Sequence, residues 1–294
     1  MRGSVLEGRI DDTRVLDSRR FHVAIKRLAD SLSYGGDRSP FLGSGIEYAQ
    51  SRPYQFGDPV KSIDWKVTAR TREPYVKEYE TPKRLCVHLV LDTSASMAVS
   101  SIPRSKYETA VFVAGGLALA CLERMSPVGL LGAGVRPIRV QPSLSKDQVL
   151  RWLHLLRVYR FDEPTTLADR LAELGTSLTE RVLIIVLSDL HEPEALTRLT
   201  RLGQRHDCVA LRFQDPAEQS RHLTGAGFLR AREAETGREF VTRGRDSFLE
   251  PEEADRQLKR AGIDHLTIRT DLPYAARLRQ FLRVRDLLGR GART

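Results

Sequence analysis

Two short, almost continuously apolar segments constrain the fold of this chain more than any other feature. They are residues 85–92 (LCVHLVLD) and 181–189 (RVLIIVLSD), and each ends in an aspartate. A strand that is apolar at nearly every position is typical of a parallel sheet with both faces buried. From residue 85 onward, strand-like and helix-like segments alternate. This alternation predicts an α/β fold with a mainly parallel sheet and helices on both faces.

The remaining segments of this region fit the same scheme, with one interruption. Ser105 and Glu108 form a capping box that predicts the start of a long helix. We expect residues 135–142 to form an antiparallel edge strand, and a hairpin near 226–242, turning at Thr236-Gly237, to be inserted into the fold. Further strands are predicted at 128–134, 208–214 and 264–270, and further helices near 145–157, 167–178, 193–205, from Pro251, and in the Arg-rich C-terminal segment.

The first 84 residues differ in character from the rest of the chain. A helix is predicted near 17–33, and it is followed by short alternating segments with turn signals at 56–59. We therefore divide the chain into a small irregular α+β module, 1–84, and a larger domain, 85–294. Because 84 residues form only a marginal core, we expect Ile63 and Trp65 to be buried against the larger domain.

Composition excludes several classes of protein. The chain has 294 residues, 41% of them hydrophobic, which is enough for a large buried core. No apolar run approaches the roughly 20 residues that a membrane-spanning helix needs. The three cysteines lie far apart within apolar runs, so neither a CxxC metal motif nor a disulfide framework is indicated. The N-terminus carries acidic residues and no apolar segment typical of a signal peptide, so we expect a cytoplasmic protein.

The net charge of +9 is concentrated near the C-terminus. Such a basic segment could bind nucleic acid or an acidic protein. Leu278 and Leu282 recur at helical spacing, however, which favours an amphipathic helix whose arginines form a solvated face. The arginines concerned are Arg277, Arg279, Arg283, Arg285, Arg290 and Arg293.

Three strand-to-helix junctions carry oxygen-bearing side chains. Asp92, Ser94 and Ser96 follow the first apolar strand, Thr165 precedes a predicted helix, and Asp189 ends the second apolar strand. In an open α/β sheet, these junctions meet at the edge where ligands bind. Hard cations such as Mg²⁺ prefer oxygen ligands and usually retain some water. The five residues therefore predict a site for Mg²⁺ or Mn²⁺ with at least one position open to water or to a partner's carboxylate.

A simpler interpretation applies to the Asp-x-Ser-x-Ser string alone. Aspartate and serine are common at helix N-termini, whatever the function of the protein. The presence of matching residues in two other loops favours the cation site.

These residues resemble a known superfamily. The strand followed by DTSAS, Thr165 with Leu167 at a helix start, and the strand ending in Asp189 are similar to the metal-ion-dependent adhesion site of von Willebrand factor A domains. The resemblance spans about 85–290 and implies an α/β fold of that Rossmann-like type. Leu190 and Pro164 depart from the pattern, because glycine is common at both places.

The N-terminal region carries a second resemblance. Gly57-Asp58, Ile63-Asp64-Trp65 and Thr68-Ala69-Arg70 are similar to a bacterial family of unknown biochemical function that is associated with MoxR-type AAA+ ATPases. Asp215-Pro216 and Glu235-Thr236-Gly237 also fit that family. The resemblance implies an adaptor or chaperone-like role beside such an ATPase.

Several enzyme classes lack their usual residues in this sequence. There is no G-x-x-x-x-G-K-[ST] loop, no H-E-x-x-H and no G-x-S-x-G. The leading hypothesis is a non-enzymatic module that uses its cation to capture an acidic side chain of a partner. Two alternatives stay open: a metal-assisted hydrolase that uses His191 or Glu192, and a nucleic-acid-binding protein that uses the basic C-terminal face.

Overall fold

A six-stranded sheet forms the centre of the structure, a computed structural model that describes residues 7–10, 27, 47–80, 86–219, 228–232, 239–243 and 251–287. Five neighbouring strands are parallel, and the sixth, at one edge, is antiparallel to its neighbour. In spatial order the strands are β12 (Asp264–Arg269), β9 (Asp207–Gln214), β8 (Leu183–Ser188), β4 (Val87–Asp92), β5 (Val128–Ala133) and β6 (Arg139–Ser143).

Helices cover both faces of this sheet, as predicted. Side chains alternate across each strand, so Leu89 and Leu91 of β4 enter one apolar core and Val90 enters the other. The first core contains α3 (Lys106–Glu123), α4 (Lys146–Leu156) and α8 (Ala275–Leu287), and the second contains α5 (Leu167–Ser177), α6 (Pro193–Gly203) and α7 (Pro251–Arg260).

The path of the chain creates a crevice at the centre of the sheet. From β4 the chain moves outward to β5 and β6, and it then returns to the other side of β4 to form β8. The connections that leave β4 and β8 therefore diverge, and ligands bind in such a crevice outside the carboxyl ends of the strands. Asp92 is the last residue of β4, and Asp189 directly follows β8.

Most of the predicted elements are confirmed. The antiparallel edge strand begins at Arg139 rather than at residue 135. Residues 135–138 instead belong to the connection between β5 and β6, across which the backbone N–H of Gly132 donates to the carbonyl of Ile138. The predicted hairpin is present as β10 (Phe228–Arg232) paired with β11 (Glu239–Arg243), whereas its turn lies outside the described residues. The helix predicted at 17–33 also lies outside them, apart from the helical residue Arg27.

The described N-terminal residues form two small β-structures. β2 (Glu47–Pro53) pairs with β3 (Tyr75–Glu80), and the short helix α1 (Trp65–Thr71) lies between them in the chain. β1 (Glu7–Arg9) instead pairs with β7 (Val158–Arg160), and the adjacent Ile10 packs in the core of the central sheet. The division of the chain at residue 84 stays a prediction.

The expectation that Trp65 would be buried is wrong. Its side chain is 68% exposed, and Ile63 is only half-buried. The buried residue at this place is Asp64, which caps α1 by accepting from the backbone N–H groups of Lys66 and Val67 and also accepts from the Ser51 hydroxyl. Polar contacts of Asp64 thus fix the start of α1, and Trp65, its first residue, faces solvent.

The helices do not include a candidate membrane span: no helix in the part of the chain that the structure describes is both long and apolar enough to cross a bilayer.

We expect Asp64→Ala to destabilise the protein by about 1–2 kcal/mol, because the variant loses the helix cap. The free energy of unfolding from urea titration measures the effect. Glu73→Ala is a suitable control, since Glu73 is an exposed acid close to α1 in the chain. An Asp64→Ala protein as stable as the control would show that the cap does not hold the module together.

Candidate cation site at the centre of the sheet edge

Asp92 is fixed between the two central strands. Its side chain is 2% exposed. One carboxylate oxygen accepts from the backbone N–H of Ser94 at 3.0 Å, and the other accepts from the hydroxyl of Ser188 at 2.6 Å. Since Ser188 ends β8, this second bond ties the carboxyl ends of β4 and β8 together.

The two serines of the predicted site connect Asp92 with Asp189. The hydroxyl oxygens of Ser94 and Ser96 lie 3.0 Å apart. The Ser94 side chain hydrogen-bonds to Asp92, and the Ser96 hydroxyl donates to the carboxylate of Asp189, which is 3% exposed. Four of the five predicted residues therefore form one connected network, in which Ser96 is half-buried and the other three are buried.

Thr165 lies on the third loop. It directly precedes Thr166, the N-cap residue of α5, and its side chain is half-buried. The backbone N–H of Ala95 donates to the carbonyl of Glu163 at 2.7 Å. The loop that carries Thr165 is thus hydrogen-bonded to the loop that carries Ser94 and Ser96.

Glu163 supports this third loop, and the sequence analysis did not identify it. It is 1% exposed, accepts from the Thr93 hydroxyl at 3.0 Å, and forms an ion pair with Arg136 at 2.8 Å. Gly134 is needed beside it, because a Cβ at that position would lie 2.2 Å from both Glu163 Oε1 and Thr93 Oγ1. Glu163 is therefore a buried structural anchor between the first and third loops.

Lys106 is a second site residue that the sequence pattern does not reveal. Its Nζ lies 2.8 Å from Asp189 Oδ2 and also bonds to a carboxylate oxygen of Glu218, although the side chain is only 2% exposed. Buried lysines occur in proteins almost only when they are paired. The available signal was a lysine placed between the capping Ser105 and an otherwise apolar helix.

The two aspartates have opposite protonation tendencies. Burial and the neighbouring Asp189 raise the pKa of Asp92 to about 7, although hydrogen bonds from Ser188 and Ser94 act in the other direction. Burial also acts to raise the pKa of Asp189, but Lys106 and His191 outweigh it and hold that pKa below its usual range. Near neutral pH, the carboxyl group of Asp92 is therefore protonated in part of the molecules and ionised in the rest.

The residue set fits a divalent cation. Asp189 and Glu218 share the ammonium group of Lys106, and the carboxyl group of Asp92 lies close enough to Asp189 for the two charges to interact. Carboxylate and hydroxyl oxygens are the ligands that Mg²⁺ and Mn²⁺ prefer. A divalent ion would remove the repulsion between Asp92 and Asp189 that otherwise favours protonation of Asp92.

A histidine borders the site. His191 Nδ1 lies 3.4 Å from Asp189 Oδ2, and Nε2 lies 4.0 Å from Glu218 Oε2. Together, Asp189, His191 and Glu218 offer ligand atoms within 4.8 Å of one another. Burial lowers the pKa of His191, so its ring is mainly neutral at pH 7.

The structure explains why glycine suits the position after the second aspartate. Leu190 has a φ of 56°, in the left-handed region that favours glycine. Its backbone N–H donates to the Ser188 hydroxyl at 2.9 Å, and its side chain is 4% exposed within the second core. The leucine thus combines an unfavourable backbone conformation with favourable apolar burial.

Comparison with known proteins identifies relatives but no activity. The family described as "Protein of unknown function DUF58" matches residues 50–257. Uncharacterized proteins of Mycobacterium bovis and of two Mycobacterium tuberculosis strains, CDC 1551 and H37Rv, are each 28% identical to this chain over 294 residues. Each alignment covers 95% of this chain and 92% of the relative.

We expect Asp92→Asn to raise the melting temperature by about 4 °C at pH 8 in the presence of a chelator. Because the folded-state pKa of Asp92 is raised to about 7, its contribution to stability is complete below the unfolded-state pKa and is lost as the pH rises through 7. Asparagine keeps the shape without the charge, so the gain should be much smaller at pH 5 and should disappear only below about pH 4, where the carboxyl group of the unfolded chain is also protonated. Thermal melts at the two pH values provide the test, and an equal effect at both would contradict the assigned pKa.

Proposed function

The chain belongs to the DUF58 family, and on this premise we propose that it is a divalent-cation-dependent protein-interaction module of the von Willebrand factor A type. In this proposal it acts as an adaptor or chaperone-like partner of a MoxR-type AAA+ ATPase. The observation that carries the proposal is the buried pair Asp92 and Asp189, joined through Ser94 and Ser96 where β4 and β8 end. The mainly parallel sheet with one antiparallel edge strand also supports it.

In this proposal, the site residues have two roles: some bind the ion, and one holds a ligand in position. Asp92, Ser94, Ser96, Thr165 and Asp189 would hold Mg²⁺ or Mn²⁺. The bound ion would supply a positive charge that attracts an aspartate or glutamate of the partner. The hydrogen bond from Ser188 keeps Asp92 in position before binding, so little rearrangement of this side chain is needed.

A role in binding fits the surroundings of the site better than catalysis does. Glu192 accepts from the backbone N–H of Ala168 at 3.1 Å, in the first turn of α5, so this carboxylate stabilises a helix start. His191 alone favours the metal-assisted hydrolase, because its neutral ring borders Asp189 and could accept a proton. Phosphoester hydrolysis that requires Mg²⁺ and is lost in His191→Ala would favour that second candidate.

The basic C-terminal helix supports the alternative of nucleic-acid binding only weakly. Leu278 and Leu282 are buried in the first core, as their spacing predicts, and Arg277 and Arg283 are exposed. This is the ordinary arrangement of an amphipathic surface helix. A steep salt dependence of DNA or RNA binding would be needed to favour that function.

We expect Asp92→Ala and Asp189→Ala to abolish detectable Mn²⁺ binding in calorimetric titration, because each removes a carboxylate ligand. Asp147→Ala is a matched control, since Asp147 is an exposed acid in the first turn of α4, which follows the end of β6 at the edge of the sheet opposite these loops. Wild-type affinity in either site variant would contradict the proposed ligand set. Circular dichroism checks that the variants retain their fold.

Binding to the ATPase should depend on the ion. We expect a MoxR-type AAA+ ATPase from the same organism to be retained by the immobilised wild-type chain in Mg²⁺, and to be lost in EDTA and with Asp189→Ala. The Asp147→Ala control should retain it. An ATPase that binds equally well in EDTA would place the interaction surface elsewhere, and one that does not bind in any condition would contradict this choice of partner.

Ion binding should weaken as the pH falls. Because the pKa of Asp92 is about 7, the ion must displace a proton from this carboxyl group at lower pH. We expect Mn²⁺ affinity to be about tenfold lower at pH 6 than at pH 8. Titrations in buffers of different ionisation enthalpy measure the accompanying proton release, and an affinity that does not change with pH would contradict the role of Asp92.

A further inference from the structure

Lys106 places a positive charge inside the proposed cation site. The ammonium group lies 2.8 Å from Asp189 Oδ2, both side chains are 2% exposed, and the second partner is Glu218, at 19% exposure. Water therefore screens this charge only weakly, and its field at the neighbouring carboxylates is strong. The Lys106 side chain enters the site from the first turn of α3, one residue after the capping Ser105.

The carboxylate of Asp189 cannot pair closely with the Lys106 ammonium group and bind a divalent ion at the same time without a cost. A divalent ion bound to its carboxylate would lie beside the Lys106 ammonium in a buried environment, and like charges repel strongly there. Movement of Lys106 away from Asp189 reduces this repulsion. Glu218 already bonds to the ammonium group, so the lysine can keep one partner after it leaves the other.

We propose that Lys106 is an internal competitor of the divalent ion: it neutralises Asp189 and Glu218 in the absence of the ion and gives up Asp189 when the ion binds. The inference rests on the proposed function, in which Asp189 is a cation ligand. It makes Lys106 the residue that sets the affinity of the site. The ion must bind tightly enough to replace the lysine at Asp189.

The same exchange connects the site to an adjacent segment. Glu218 lies in a 3-10 turn, Pro216–Gln219, and also accepts from the backbone N–H of Asp215 at 3.3 Å. Asp215 in turn accepts from the Ser100 hydroxyl and the Ser101 backbone N–H, each at 2.9 Å. A lysine bound to Glu218 alone would strengthen that ion pair and thereby fix this turn against the loop that precedes α3. Occupancy of the site would thus also affect the turn Pro216–Gln219.

Substitution of Lys106 should strengthen ion binding, although it removes a side chain from the site. In Lys106→Met, Mn²⁺ affinity measured by calorimetry should increase by at least about tenfold, because a buried positive charge beside the ion is removed. In EDTA the variant should melt at a lower temperature than the wild type, since Asp189 and Glu218 lose their counter-charge, and Mn²⁺ should restore stability. Lys146→Met is the matched control, because Lys146 is exposed at the start of α4, beyond the opposite end of the sheet. The Mn²⁺ affinity of this control variant should equal that of the wild type.

The outcomes separate this inference from the proposed function. If the wild type binds Mn²⁺ and Lys106→Met binds it equally or more weakly, the inference is overturned and the cation site stands. If neither protein binds any divalent ion, the proposed function itself fails.

A second measurement uses the wild-type chain in case Lys106→Met does not fold. The buried ammonium group of Lys106 can be followed by NMR in protein labelled with ¹⁵N-lysine. Addition of the diamagnetic ion Mg²⁺ should shift this signal in the wild type and leave it unchanged in Asp92→Ala, because that variant lacks a carboxylate ligand of the ion. A Lys106 signal that stays constant while Mg²⁺ binds to the wild type would overturn the competition.

Discussion

The parallel pairing of β4 with β8 is the constraint on which the site depends. Because the chain reaches β8 by crossing back over β4, the two strands end side by side while the segments that follow them diverge. The hydrogen bond between Ser188 and Asp92 fixes this junction at 2.6 Å. The apolar cores on both faces hold the strands in register, so the position of the carboxylates follows from the packing of residues that have no chemical function themselves.

This arrangement concentrates like charges where water is scarce. A buried carboxylate is costly unless it is paired, and Asp92 and Asp189 are neutralised by different means. Asp189 is paired with Lys106, whereas Asp92 has a pKa of about 7 and can retain a proton. Burial of these charges costs stability, which is common at functional sites of folded proteins.

The sequence was sufficient to predict the central sheet, its edge strand and the convergence of four site residues, because strand periodicity and the position of an aspartate at a strand end are local signals. Glu163 and Lys106 were missed for a physical reason. Each acts through a partner distant in sequence: Glu163 contacts Thr93 and Lys106 contacts Asp189. Periodicity carries no information about such contacts. Trp65 was misassigned because a tryptophan is usually buried, whereas here the capping Asp64 takes the interior position.

The different exposure of the two tryptophans has a spectroscopic consequence. The chain contains only Trp65 and Trp152, and the first is 68% exposed in the N-terminal part whereas the second is 1% exposed within α4. Their fluorescence should therefore consist of a red-shifted component that iodide quenches and a blue-shifted component that iodide does not reach. Trp65 thus reports on the surroundings of α1 and Trp152 on the first core, so the two places can be followed by separate optical signals during unfolding without any added label.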